Sequence, residues 1–95
     1  MDERSQRVLE LLREAGTTHH TVYRITDGDD PDWPLWYAEW LVNLSELPEV
    51  LGRKPSRSEV VFELVSLERE YAAESPDEPW QQFYAVRLTE RLGER

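Results

Sequence analysis

The sequence predicts an all-α fold, a small four-helix bundle that forms a single domain over residues 1–95. Three observations support this. Apolar residues recur at helical spacing in four segments, each segment is bounded by residues typical of helix ends, and the β-branched stretch 17–26 has no second strand to pair with. The four predicted helices cover 4–15, 33–44, 57–73 and 80–92, and their short connections favour antiparallel neighbours.

The first predicted helix is amphipathic and short. Its apolar positions recur at helical spacing, and they are Val8, Leu9, Leu11, Leu12 and Ala15. Gly16 follows and fits a C-terminal stop. Residues 17–26 favour extended chain by propensity, and without a pairing strand they are expected to be irregular. A short helix, or a strand paired across a dimer, is the alternative for this stretch.

The tryptophan-rich stretch after residue 32 is expected to organise the core. At roughly 100° per residue, a helix places six large apolar side chains on one wide arc. They are Trp33, Trp36, Tyr37, Trp40, Leu41 and Leu44. Asp32 is positioned to cap this helix, and Pro34 lies in the first turn, where a missing N–H costs little.

The second half of the chain begins with a short helical turn and a capping motif. Ser45 and Gly52 bound the turn, and Ser56 with Glu59 forms a capping box that opens the third long helix. Its buried arc is expected to hold Val60, Val61, Leu64, Val65, Leu67, Tyr71 and Ala72. Glu68 interrupts that arc.

The last predicted helix also carries one charge on its apolar face. The face comprises Trp80, Phe83, Tyr84 and Leu88, with Arg87 at its centre. Because an unpaired buried charge costs several kcal/mol, we hypothesise that Glu68 and Arg87 form a buried polar pair, with the guanidinium against Trp80 or Tyr84. The alternative is that both long side chains extend to solvent.

Two segments share one pattern. Aromatic, alanine and leucine residues occur at the same spacing in the run from Trp33 to Leu41 and in the run from Trp80 to Leu88. The second run begins 47 positions after the first. Each run follows another amphipathic helix. This indicates, as a hypothesis, two pseudo-repeated helical hairpins related by an approximate two-fold axis, with Arg87 in place of Trp40.

Composition and charge narrow the classes of partner. A net charge of −9 and an isoelectric point near 4.6 disfavour nucleic acid and anionic membranes, and favour basic protein surfaces or cationic small molecules. The chain has no cysteine, no apolar run of membrane-spanning length and no signal-peptide core. A cytoplasmic location is therefore expected.

Signatures of catalysis, cofactors and metals are weak. The loop at 27–30 is rich in carboxylates, but an EF-hand starting at Asp27 would place Pro31, Asp32 and Ala38 where ligands or glycine are needed. His19 and His20 are adjacent, so a helix cannot direct both at one ion, and they are expected to be surface residues. Serines 45, 56 and 75 fit helix caps. We expect no enzyme activity, cofactor or metal.

Two functional hypotheses follow. The first is a protein-interaction module that binds a partner or forms a homodimer through a second apolar stripe on the tryptophan helix, namely Leu35, Ala38 and Val42. The alternative is that this helix is central in its own bundle, so that other helices of the same chain cover both of its apolar sides. The second is a small-molecule-binding protein for an apolar or cationic ligand, with a pocket lined by Trp33, Trp36, Trp40, Trp80, Phe83 and Tyr84. Core packing of these rings is the alternative to a pocket.

Overall fold

A computed structural model describes residues 2–23 and 32–93, which contain five helices and no strand. The helices are α1 (Glu3–Tyr23), α2 (Trp33–Asn43), α3 (Leu47–Leu51), α4 (Arg57–Glu74) and α5 (Trp80–Leu92). This confirms the all-α bundle and places four long helices close to their predicted positions. The acidic loop at 27–30 lies outside the described residues.

Helix α1 continues well beyond its predicted end at Ala15, so the prediction of irregular chain is wrong for residues 17–23. Gly16 lies inside the helix, where a Cβ would lie 3.4 Å from the Tyr37 hydroxyl. That distance is an ordinary van der Waals contact, so Gly16 faces Tyr37 but neither ends the helix nor is required by packing. Thr21 donates a hydrogen bond to the Thr17 carbonyl, 3.0 Å away, and His19 packs on α2. Tertiary packing overrides the local β propensity here.

The predicted ends of the later elements are largely observed. Ser56 and Glu59 form the capping box, with the Glu59 amide 3.1 Å from the Ser56 hydroxyl. Gly52 ends α3 in the left-handed conformation at φ 79°, and Gly93 follows α5. Asp32 differs from expectation, because it occupies the N-cap position of α2 without a side-chain capping hydrogen bond. Its backbone carbonyl accepts from the Leu35 and Trp36 amides instead.

The core forms mainly between helices that are distant in the chain. Helix α1 packs most extensively on α5, and α2 packs most extensively on α4, whereas α1 with α2 and α4 with α5 share smaller contacts. Helix α5 runs antiparallel to α4, because Arg91 reaches Glu63 and Glu70 while Arg87 reaches Glu74. Neither half of the chain therefore buries its apolar faces without the other.

Candidate functional site

The second apolar stripe of α2 does not form a common exposed surface. Ala38 is fully buried and Val42 is 5% exposed, while Leu35 is 50% exposed. Two of the three predicted interface residues therefore belong to the core, which corrects that prediction. The reason is that α2 is central in the bundle, between α1 and α4, so both of its sides are covered within the chain.

Five of the six predicted pocket residues, all except Trp40, make ring contacts within an aromatic cluster that also includes Tyr37. Trp33 and Trp36 lie edge-on to Tyr37, with ring centroids 5.5 and 5.7 Å away, and Trp80 lies 4.9 Å from Tyr84. Phe83 and Tyr84 are buried. These edge-on contacts are typical of a packed aromatic cluster, in which rings fill the space that a ligand would need. The small-molecule hypothesis stays a prediction.

The ring contacts occur as two similar four-ring sets. In the first, His19 contacts Trp36 and Tyr37, and Trp33 contacts Tyr37. In the second, Tyr71 occupies the place of His19 and contacts the residues equivalent to Trp36 and Tyr37, which are Phe83 and Tyr84. If α1 is exchanged with α4 and α2 with α5, the pair α1–α5 becomes the pair α4–α2. These are the two pairs of helices that pack most extensively, so the exchange leaves the packing pattern unchanged. Both observations support the two-fold repeat hypothesis.

His19 is therefore part of the aromatic cluster. Its ring is half-buried, with centroids 5.0 Å from Trp36 and 5.3 Å from Tyr37, whereas His20 is exposed. The expectation of two surface histidines is wrong for His19. Its placement follows from the continuation of α1, which carries residue 19 past the end that Gly16 indicated.

Glu68 and Arg87 do not form a buried pair. Glu68 is exposed, and the Arg87 guanidinium lies 3.6 Å from the centroid of the Phe83 ring and 3.7 Å from a Glu74 carboxylate oxygen. The long arginine side chain extends back along α5 over the preceding turn. There it combines a cation–π contact with a solvent-exposed partner, so neither charge has to be buried.

Tyr84 is a buried phenol whose pKa is raised in the folded chain. Burial, followed by the negative charge of Glu68, raises the pKa of Tyr84 to about 12. A phenol in the unfolded chain ionises near pH 10, so folding favours the neutral form of Tyr84. The resulting stabilisation is fully present below about pH 10 and is lost as pH rises through about 12.

We therefore expect the free energy of unfolding to fall by about 2 kcal/mol across that alkaline range. Urea unfolding at a series of pH values measures it. Tyr84→Phe should flatten most of the decline, with a residual slope from Tyr37, whose pKa is also raised by burial. Equal slopes in the variant and the unmodified chain would contradict this account.

A groove between α1 and the C-terminal end of α2 has both apolar and charged walls. It consists of two adjoining depressions, of about 670 and 390 Å³, that share Glu14 and Trp40. We name it the Trp40 groove. Its other walls are Arg7, Leu11, Asn43, Leu44, Ser45 and Glu46 in the larger depression, and Arg13, Thr17 and Thr18 in the smaller.

Leu44 forms an exposed apolar edge of this groove. It was predicted to lie on the core arc of the tryptophan helix, but it is 72% exposed. The correction has a local cause. Helix α2 ends at Asn43, and Leu44 has φ −121° and ψ 0°, so it leaves the helical register that would direct it inward. Ser45, predicted to cap the following helical turn, was the sequence signal that the helix ends nearby.

The charged walls of the Trp40 groove share a single bridging arginine. The Arg7 guanidinium lies 2.9 Å from Glu10, 3.9 Å from Glu14 and 2.6 Å from Glu46. It links α1 to the segment that precedes α3. Three carboxylates thus surround one cation, and hydrogen bonds to Glu46 and Glu10 raise the pKa of Arg7. Arg13 lines the smaller depression, so the three carboxylates and two arginines at and beside the groove leave a net charge of −1.

Within residues 2–23 and 32–93, no group of three or more metal-ligating side chains is close enough to hold an ion. None of the helices described here has the length and apolar character needed to cross a bilayer. Comparison of the chain with protein-family models, curated proteins and solved structures gave no significant match.

Proposed function

We propose that this chain is a protein-interaction module that binds a basic, amphipathic segment of a partner protein in the Trp40 groove. The observation that carries the proposal is the position of Trp40, a large half-buried ring shared by two adjoining depressions. Partly exposed tryptophans in concave surfaces are typical anchors of protein interfaces. Binding here requires no rearrangement of the core.

The apolar part of the groove accounts for affinity. Leu44 is the most exposed of the large apolar side chains described, and it lies at the same groove as Trp40 and Leu11. Covering exposed apolar surface contributes about 25 cal/mol per Å². An apolar side chain of the partner, inserted between Trp40 and Leu44, would gain this contribution.

The charged part accounts for selectivity. Glu10, Glu14 and Glu46 compete for Arg7, so a lysine or arginine of the partner can neutralise the remaining negative charge. The net charge of −9 attracts basic partners over a longer range and repels acidic ones. The preferred ligand is therefore a helical segment with apolar and basic residues on neighbouring positions.

Fluorine NMR of fluorotryptophan-labelled protein tests the proposal, because the chain has four tryptophans and each gives its own resonance. Trp40→Phe assigns the Trp40 signal. The probe is a synthetic helical peptide of leucine and lysine. We expect a saturable shift of the Trp40 resonance that weakens with added salt, since the charge attraction is screened.

Two matched controls accompany the titration. A peptide with glutamate in place of lysine should leave the Trp40 resonance unchanged. Leu44→Ser should weaken binding of the basic peptide, whereas Phe62→Ser, which changes an exposed side chain on α4, should not. Equal shifts with both peptides, or no shift of Trp40 with either, would refute the proposed site.

A further inference from the structure

A third depression adjoins the Trp40 groove on the side nearest the start of α1. It has a volume of about 330 Å³, and its walls are Asp2, Glu3, Gln6, Arg7 and Glu10. Arg7 belongs both to this depression and to the larger depression of the Trp40 groove. The three depressions therefore follow one another along α1, and we name the whole feature the α1 trough.

One side of α1 forms a wall of the α1 trough along most of its length. Residues of this wall recur alternately four and three positions apart, a spacing that places them on one side of a helix. They are Glu3, Arg7, Glu10, Glu14 and Thr17. From Glu3 to Thr17 the helix rises about 21 Å, because each residue adds about 1.5 Å. That length corresponds to about four turns of a second helix lying beside α1.

Charge is distributed unequally along the α1 trough. The depression near the start of α1 is lined by three carboxylates and one arginine, whereas the smaller depression at the far end is lined by Glu14 and Arg13, one of each sign. Between them lie the apolar side chains of Leu11, Trp40 and Leu44. The α1 trough is therefore negative at one end and apolar in its middle part.

We propose that the α1 trough binds one amphipathic helix of a partner protein, with basic residues of that helix over the depression near the start of α1 and its apolar residues against Trp40 and Leu44. This rests on the proposed function, which it extends from the Trp40 groove to a second subsite and a defined direction. Lysine and arginine side chains complement the carboxylates that line the second subsite.

The carboxylates of this subsite can accept from a partner while they keep their contacts within the chain. One Asp2 oxygen accepts from the Ser5 amide at 2.8 Å, and one Glu10 oxygen lies 2.9 Å from Arg7. These contacts use one oxygen of each carboxylate, and the other can accept from a lysine or arginine. Arg7 lies between the two subsites, so the partner residue above it is expected not to be basic.

The helix dipoles favour an antiparallel arrangement. A cation stabilises the C-terminal end of its own helix, so a partner helix favours its basic residues in its C-terminal half. Placing that half near the start of α1 also brings the negative end of one helix dipole to the positive end of the other. The N-terminal half of the partner then lies against Trp40 and Leu44.

Disulfide trapping tests the direction, because the chain has no cysteine of its own. The probe is a synthetic helix of about four turns, with leucine in its N-terminal half and lysine in its C-terminal half. One cysteine at either end is activated as a mixed disulfide, which a protein thiol attacks. Gln6→Cys and Leu44→Cys place that thiol in the second subsite and in the Trp40 groove, at exposed positions.

The expected result is a crossed pattern of cross-linking rates. Gln6→Cys should react faster with the peptide activated at its lysine end, and Leu44→Cys faster with the peptide activated at its leucine end. Differences in intrinsic thiol reactivity cancel, because each peptide is compared at both protein positions. The same order of rates at both positions, or the reversed pattern, would overturn the arrangement.

A charge substitution provides a test that needs no cysteine. In the fluorotryptophan titration at about 0.1 M salt, the double variant Glu3→Gln with Glu10→Gln should weaken peptide binding by about fivefold. Glu68→Gln with Glu90→Gln makes the same change in net charge at exposed positions on α4 and α5. Binding by this control should change less than about twofold, because charges more than about 10 Å from the peptide are screened.

The outcomes separate this inference from the proposed function. A Trp40 shift with equal weakening by both double variants, or with no crossed cross-linking pattern, overturns the second subsite and leaves the Trp40 groove in place. Absence of any Trp40 shift refutes the proposed function and this extension together. Circular dichroism checks that each variant is folded, and the two tests use different substitutions.

Discussion

Val42→Glu is expected to unfold the protein or to lower its free energy of unfolding by at least about 4 kcal/mol. Val42 is almost fully buried in α2, and the described core around it is apolar, so the new carboxylate would lose its hydration. A chain of this size has a total stability of about 5–15 kcal/mol, of which this loss is a large fraction. Urea unfolding followed by circular dichroism measures it.

Leu35→Glu is the matched control. It makes the same chemical change one heptad earlier on α2, at a residue that is half exposed. Its cost should be within about 0.5 kcal/mol, as is usual at surface positions. Similar small effects for both substitutions would show that Val42 is not in the core. Similar large effects would show that Leu35 is covered as well.

Phe83→Ala is expected to cost about 3–5 kcal/mol, the second large effect. Phe83 is 1% exposed, contacts Tyr71 at 5.2 Å between ring centroids, and supports the Arg87 guanidinium. Truncation would leave a cavity in the second four-ring set and would remove the ring beneath Arg87. Thermal or urea unfolding provides the measurement.

The chain has two phenylalanines, so Phe62→Ala supplies a control with identical chemistry. Phe62→Ala should change the free energy of unfolding by less than about 0.5 kcal/mol, because Phe62 is 68% exposed. The contrast between the two substitutions measures burial alone. A cost for Phe62→Ala that matched that of Phe83→Ala would mean that Phe62 packs against the core.

The charged and partly exposed residues show why side-chain pattern alone does not locate a site. Helical spacing placed Glu68 and Arg87 on apolar arcs, and the hypothesis of a buried pair followed from the cost of unpaired charge. In the structure, each side chain avoids that cost individually: Glu68 is exposed, and Arg87 lies over Phe83 near Glu74. Spacing gives the direction of a Cα–Cβ bond, whereas a long side chain can end several Å away.

The sequence by itself determined the helical elements of the second half and most of the core. The capping box at Ser56, the left-handed glycine after α3 and the apolar spacing of α4 and α5 depend on interactions within a few residues, so local sequence contains them. The similarity between Trp33–Leu41 and Trp80–Leu88 also predicts two equivalent sets of aromatic residues from the sequence alone.

Tertiary structure alone decided which of these faces are covered. Gly16 lies within α1 opposite Tyr37, and Ala38 and Val42 are buried because α2 lies between α1 and α4. Leu44 and Phe62 are exposed because none of the described helices covers them. Periodicity specifies the faces of one helix, but the helix that covers each face comes from a distant part of the chain, and that pairing decides both the core and the free surfaces.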